Sequence, residues 1–201
     1  MKTKLVHYLQ RGRDALLWKL EGLSDYDTRR PMVRTGTNLL GLVKHVAAVE
    51  STYFGEVFGR PFPEKYPWMA LDAETNSDMW ATPAESQESV TSLYRRVWAH
   101  SDATIAALDL DAPGYVSWWQ ADLREVSLHQ ILIHVVAETQ RHAGHADILR
   151  ELIDGDAGQR RDDPNISASY DWDVHRALLE QAARAAGAVR NTSLNTIRLV
   201  D

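Results

Sequence analysis

The order of apolar and polar positions along the chain is helical almost throughout. Between about Lys4 and Leu23, apolar residues recur at three- and four-residue spacings (Leu5, Tyr8, Leu9, Ala15, Leu16, Leu20), the stripe of an amphipathic helix. A second helix is predicted after Gly36, with Thr37 as N-cap, running through Leu40, Val43, Val46, Ala47, Tyr53 and Phe54 to Gly59. Thr82-Pro83-Ala84-Glu85 joins capping-box spacing to a proline at the first helical position and predicts the start of a third helix, which carries Val90, Leu93, Tyr94, Val97, Ile105 and Leu108. Ser127-Leu128-His129-Gln130 is a further capping box, opening a fourth helix that ends near Gly155. A last helix is expected from about Asp171 to Ala186, before a polar tail.

Two connections break this pattern. Residues 59–81 contain Pro61, Pro63, Pro67, Trp68, Met69 and Trp80, too much proline for a helix and too much aromatic surface for a solvated linker. Residues 109–126 carry Pro113-Gly114 and then Tyr115-Val116-Ser117-Trp118-Trp119, compatible with a short strand or hairpin. Such loops either cover something or fill out the core. With no internal repeat and no convincing boundary, the expectation is an all-α fold: one domain over residues 1–201, a four-helix bundle with an additional C-terminal helix and long aromatic loops.

Composition narrows the function. A formal net charge of -6 argues against a nucleic-acid surface. The N-terminal apolar run is too short for a secretory signal, and no stretch approaches the roughly 18 apolar residues of a membrane span, so a soluble, cytoplasmic protein is expected. The chain has no cysteine. It therefore has no disulfide, no thiolate nucleophile of its own and no sulfur ligand for zinc or iron, and any metal must sit on His, Asp or Glu.

Candidate ligands concentrate on the fourth helix, which reads His134-Val-Val-Ala-Glu138-Thr-Gln-Arg-His142-Ala-Gly-His145. Side chains four apart start about 5–6 Å from each other and can chelate one ion. Residues eight apart are separated by about 12 Å along the axis, too far to share a metal at a bond length of about 2 Å. One pair must therefore serve: His134 with Glu138, Glu138 with His142, or His142 with His145. The middle pair combines imidazole with carboxylate, as catalytic zinc sites do, and the small Ala143 and Gly144 follow it. His145 stays as a reserve or outer group. His45, placed among Leu39, Leu42, Val43, Val46 and Ala47, is the natural third ligand from another helix. Taken singly, each has a plainer reading, as a hydrogen-bonded core histidine or part of a solvated face.

The segments Gly36-Thr-Asn-Leu-Leu-Gly-Leu-Val-Lys-His45-Val-Ala-Ala-Val-Glu50, Tyr94–Asp102 and His129–Asp154 resemble the DinB/YfiT-like superfamily of small helical metalloproteins, with about residues 10 to 185 covered. The resemblance implies a metal held by a second-helix histidine and an i, i+4 pair on a later helix, hence His45, Glu138 and His142. The superfamily's commoner later pair is two histidines; the His/Glu/His set is similar to that of mycothiol-dependent maleylpyruvate isomerase. It further implies a divalent cation, zinc first, with nickel, iron(II) or manganese also suited to nitrogen and oxygen donors. A small-molecule substrate, a low-molecular-weight thiol of the mycothiol type as cosubstrate, and a homodimer complete the expectation.

Three functions follow from an open three-ligand site: thiol S-transfer or thiol-dependent isomerisation, metal-assisted hydrolysis, and a non-catalytic metal-binding or interaction bundle. His145, Arg141 and Glu50 are the uncommitted polar residues left as outer-sphere or substrate contacts.

Overall fold

The computed structural model describes residues 1–162 and 166–197, with residues 188–197 described as backbone alone. The chain forms two compact units, Met1–Asn165 and Ile166–Asp201. Among the described residues the first contains five α-helices: α1 (Lys2–Trp18), α2 (Asp25–Arg29), α3 (Leu39–Phe54), α4 (Gln87–Ala107) and α5 (Leu128–Asp154). α3 packs against both α4 and α5, and α5 packs against α1. These four long helices make the all-α bundle expected of the sequence. In the second unit, α6 (Trp172–Ile197) runs well past Ala186, the end expected from the pattern. Residues 198–201, the last of the expected polar tail, lie outside the described residues. Among the described residues no helix is long and apolar enough to cross a membrane.

Local chemistry sets the helix ends. Ser127 Oγ accepts from Gln130 N–H at the start of α5, and Gly155, with φ 85°, closes its other end in the left-handed region that glycine enters without a Cβ penalty. Two starts differ from expectation. Asn38, not Thr37, caps α3, its Oδ1 accepting from Gly41 N–H at 2.8 Å. α4 begins after Ser86, whose Oγ accepts from Ser89 N–H. The Thr82–Glu85 box forms only in part: Glu85 accepts from Thr82 N–H at 2.8 Å but is also drawn onto Lys44 of α3, and the segment stays a turn.

The hairpin expected within 109–126 is present. β1 (Pro113–Tyr115) pairs antiparallel with β2 (Glu125–Ser127), Gly114 opposite Val126. Residues 59–81 are irregular except for a 3-10 turn at Pro67–Met69.

The bundle interior divides into two apolar clusters. One gathers Leu16, Leu39, Val43, Leu93, Val97 and Leu149; the other Leu9, Phe54, Ile105, Val116, Ile131 and Val135. Along α5 the second cluster stops at Val135 and the first resumes at Ala143. The interval between them carries polar side chains, and the candidate site lies there.

Candidate metal centre

His45, in the middle of α3, and Glu138 and His142, one turn apart on α5, converge across the packed α3–α5 interface. Each offers a ligand atom, and these atoms all lie within 4.8 Å of one another. His142 Nε2 is 3.0 Å from Glu138 Oε1, and His45 Nε2 is 3.8 Å from the same oxygen. The two imidazole rings meet edge to face, with centroids 4.7 Å apart. Donors each about 2 Å from a common ion stand roughly 3–4 Å from one another, so these separations suit a single small cation. The side chains of His142, His45 and Glu138 are 10, 21 and 31 % exposed. Water or a small molecule therefore has access from the Glu138 side, which a closed structural site would deny.

The electrostatics favour the ligand forms. Burial, together with the neighbouring His45, pushes the His142 imidazolium below its ordinary range and so favours the neutral ring, despite an opposing pull from Glu138. Burial works to raise the Glu138 carboxyl, but the hydrogen bond and charge of His142, then the charges of His45 and His134, outweigh it and hold the group below its ordinary value. An ionised carboxylate beside a neutral imidazole is the state in which both bind a cation.

His45 has a further partner. Its Nδ1 is 2.6 Å from Asp78 Oδ2, on the 59–81 connection. That contact, more than any other, holds the Asp78 carboxyl below its usual range. Nothing in the sequence marked Asp78: it stands 33 positions from His45, in a loop with no periodicity.

The other polar residues singled out from sequence go elsewhere. His145 Nδ1 approaches His142 Nδ1 at 3.4 Å, on the opposite edge of that ring from the donor cluster. His134 packs on Tyr53 and Trp119, with ring centroids 4.6 and 5.2 Å away, and burial depresses its pKa. Arg141 is exposed. Glu50 is fully buried and bound to Arg13 and Tyr94, which removes it from any contact with substrate.

Beside the centre, the aromatic connections form a pocket of about 280 Å³ whose walls include Val49, Tyr53, Trp68, Met69, Trp118 and Asp78. These connections therefore do more than fill the core. Trp119 Nε1–H donates to Tyr53 OH at 3.1 Å and ties the hairpin segment to α3.

The bundle brings a histidine of one long helix against an i, i+4 carboxylate–histidine pair of another, and the match to a family model over residues 4–155 makes it a DinB/YfiT-like protein with a candidate metal centre. More narrowly, the chain belongs to the mycothiol-S-transferase family, whose family model matches residues 4–155 and so spans all three candidate ligands. Comparison with curated proteins returns no match.

Proposed function

We propose that this protein is a metal-dependent thiol S-transferase, joining a low-molecular-weight thiol of the mycothiol type to an electrophile at His45, Glu138 and His142. The convergence of these three ligand atoms within 4.8 Å, in a chain of the mycothiol-S-transferase family, carries the reading. Zinc is the cation we assign first, because two imidazoles and one carboxylate with an open position form a catalytic zinc donor set. When bound, such an ion supplies the charge that favours the thiolate over the thiol at neutral pH.

The chain's own residues bind, orient and shield. Glu138 brings the single negative charge among the ligands and is the most exposed of them. Committed to an ion, it would not be free as a general base. His142, buried on α5, and His45, on α3, would supply the two imidazole ligands. With no cysteine in the chain, the sulfur nucleophile comes from the cosubstrate. The S–H proton passes to solvent, an S–C bond forms, and the electrophile's leaving group departs with its bonding electrons. The aromatic and apolar walls of the neighbouring pocket receive the electrophile's apolar part.

The test is metal analysis of the purified protein beside His142→Ala, followed by mycothiol with chlorodinitrobenzene as the electrophile. About one equivalent of a divalent metal, lost in the variant, with metal-dependent conjugation, supports the proposal. A wild type that takes up neither zinc, nickel nor manganese defeats it. A metal-loaded protein that hydrolyses an ester without any thiol would place it among hydrolases instead.

A further inference from the structure

The segment Ser77–Trp80 lies across the first half of α3 as a strap, and α3 together with its N-cap residue holds it at each successive residue. Asn38 Nδ2–H donates to Met79 O at 3.3 Å. Lys44 Nζ donates to Ser77 O at 3.1 Å and to Trp80 O at 2.9 Å, while pairing with Glu85 at 2.9 Å. Its ammonium also sits 4.4 Å from the Trp68 ring centroid. Gly41 makes the close approach possible, since a Cβ built there would stand 1.9 Å from Met79 O. Lys44 is buried although charged, a costly placement unless its donors are satisfied, and here two carbonyls and a carboxylate satisfy them.

One side chain of this strap reaches a candidate ligand. Asp78 Oδ2 meets His45 Nδ1 at 2.6 Å, while Nε2 on the far side of the same ring faces Glu138 at 3.8 Å. An ionised carboxylate accepts hydrogen bonds and donates none, so the proton between these atoms belongs to Nδ1. In the neutral, metal-binding form of the ring the lone pair is then on Nε2, the nitrogen that faces Glu138.

From this geometry we infer that Asp78 is the positioning residue of the metal centre: it fixes His45 as the Nδ1–H tautomer, and the strap clamped by Asn38, Gly41 and Lys44 fixes Asp78. The inference deepens the proposed function and rests on it for the identity of the ion, but not for the tautomer. Carboxylates that orient a metal-bound imidazole in this way set both ring direction and ligand basicity, and their loss weakens metal binding by about 10–100-fold.

The test has two arms on the full chain. In the first, nitrogen NMR of metal-free protein reads the His45 tautomer. Wild type shows the Nδ1–H form and Asp78→Ala loses it, whereas Asp78→Asn, whose Oδ1 still accepts a hydrogen bond, retains it. In the second, chelator competition measures zinc affinity. Asp78→Ala binds about 10–100-fold more weakly, with Asp78→Asn between it and wild type, while Asp72→Asn on the exposed part of the same loop matches wild type. Circular dichroism and the urea midpoint separate these changes from unfolding, and Asp78→Asn carries the comparison if the alanine variant does not fold. An Asp78→Ala protein that keeps both the wild-type tautomer and the wild-type affinity overturns the inference. So does an Asp72→Asn protein that loses as much. A wild type that shows the Nδ1–H form but binds no zinc refutes the metal reading and leaves the orienting role of Asp78 in place.

Discussion

Arg13 Nη2 lies 2.6 Å from Glu50 Oε2, and both side chains are wholly buried, so the centre of the bundle is crossed by an ion pair rather than by hydrocarbon alone. The guanidinium makes further contacts through Nε to both Glu50 oxygens and through Nη1 to Asp102, while Tyr94 OH donates to Glu50 Oε1 at 2.9 Å. Burial works against the Arg13 charge, but the attraction and hydrogen bonding of Glu50 overcome it, and its pKa is raised. One helix is thereby fixed to two others: α1 to α3 through Glu50, and α1 to α4 through Asp102.

Glu50→Ala should cost about 3–5 kcal/mol of stability, because it leaves a buried guanidinium without its main partner. Urea denaturation measures this loss. Metal content should stay at the wild-type level under native conditions, since Glu50 contributes nothing to the ligand cluster. A variant that keeps its stability but loses metal would contradict this assignment.

Metal should stabilise the fold by mass action. At a free zinc concentration about 100 times Kd, the unfolding free energy should rise by about 2.7 kcal/mol, seen as a higher melting temperature that a chelator reverses. In His142→Ala, removal of a ligand should abolish the zinc-dependent rise while the metal-free melting temperature changes far less. An equal rise in the variant would mean that the ion binds elsewhere.

Gly41→Ala should loosen the strap. The added methyl group meets Met79 O, a backbone atom that cannot swing aside like a side-chain end. Overpacking of this kind costs about 1–3 kcal/mol. Because Met79 adjoins Asp78, zinc affinity should fall as well, measured by the same chelator competition. Unchanged affinity would show that Asp78 holds its place without the clamp.

Acid should weaken the fold partly through Glu85 and Asp154. For Glu85, burial alone would raise the carboxyl, but Thr82 N–H and Lys44 bring it below its ordinary 4.5; for Asp154, Arg150 overcomes burial in the same way, against an ordinary 3.8. A carboxyl with a folded value below its unfolded one binds fewer protons when folded. Its stabilisation is complete above the ordinary value and is lost as pH falls through the folded one. Urea midpoints taken from about pH 7 down to about pH 3 should therefore decline, and Glu85→Gln should flatten part of that decline. A wild-type slope in this variant would remove Glu85 from the account.

The parts of this structure legible in the sequence are those whose causes are local. α5 could be bounded from Ser127, Gln130 and Gly155 because its caps use residues within one turn of its ends. Helix geometry narrowed the ligands on α5 to three possible pairs, and donor chemistry with the family resemblance singled out Glu138 and His142. The Thr82–Glu85 signal misled because a non-local partner, Lys44, takes up Glu85 and the helix starts after Ser86. Glu50 looked available for substrate because the sequence gives no sign of Arg13 approaching from α1. Asp78 was out of reach for the same reason, since its meaning depends on how a proline-rich loop settles on α3.

Asp78 belongs to two surroundings at once, as a wall of the aromatic pocket and as the partner of His45. Were His45 to hold an ion as proposed, a molecule that shifts Asp78 on entering the pocket would change how firmly it does so. Thermodynamic linkage then requires the ion to change that molecule's affinity by the same factor. With the ion bound as proposed, pocket and metal centre would act as one cooperative unit, in which occupancy of either is felt by the other through a single carboxylate.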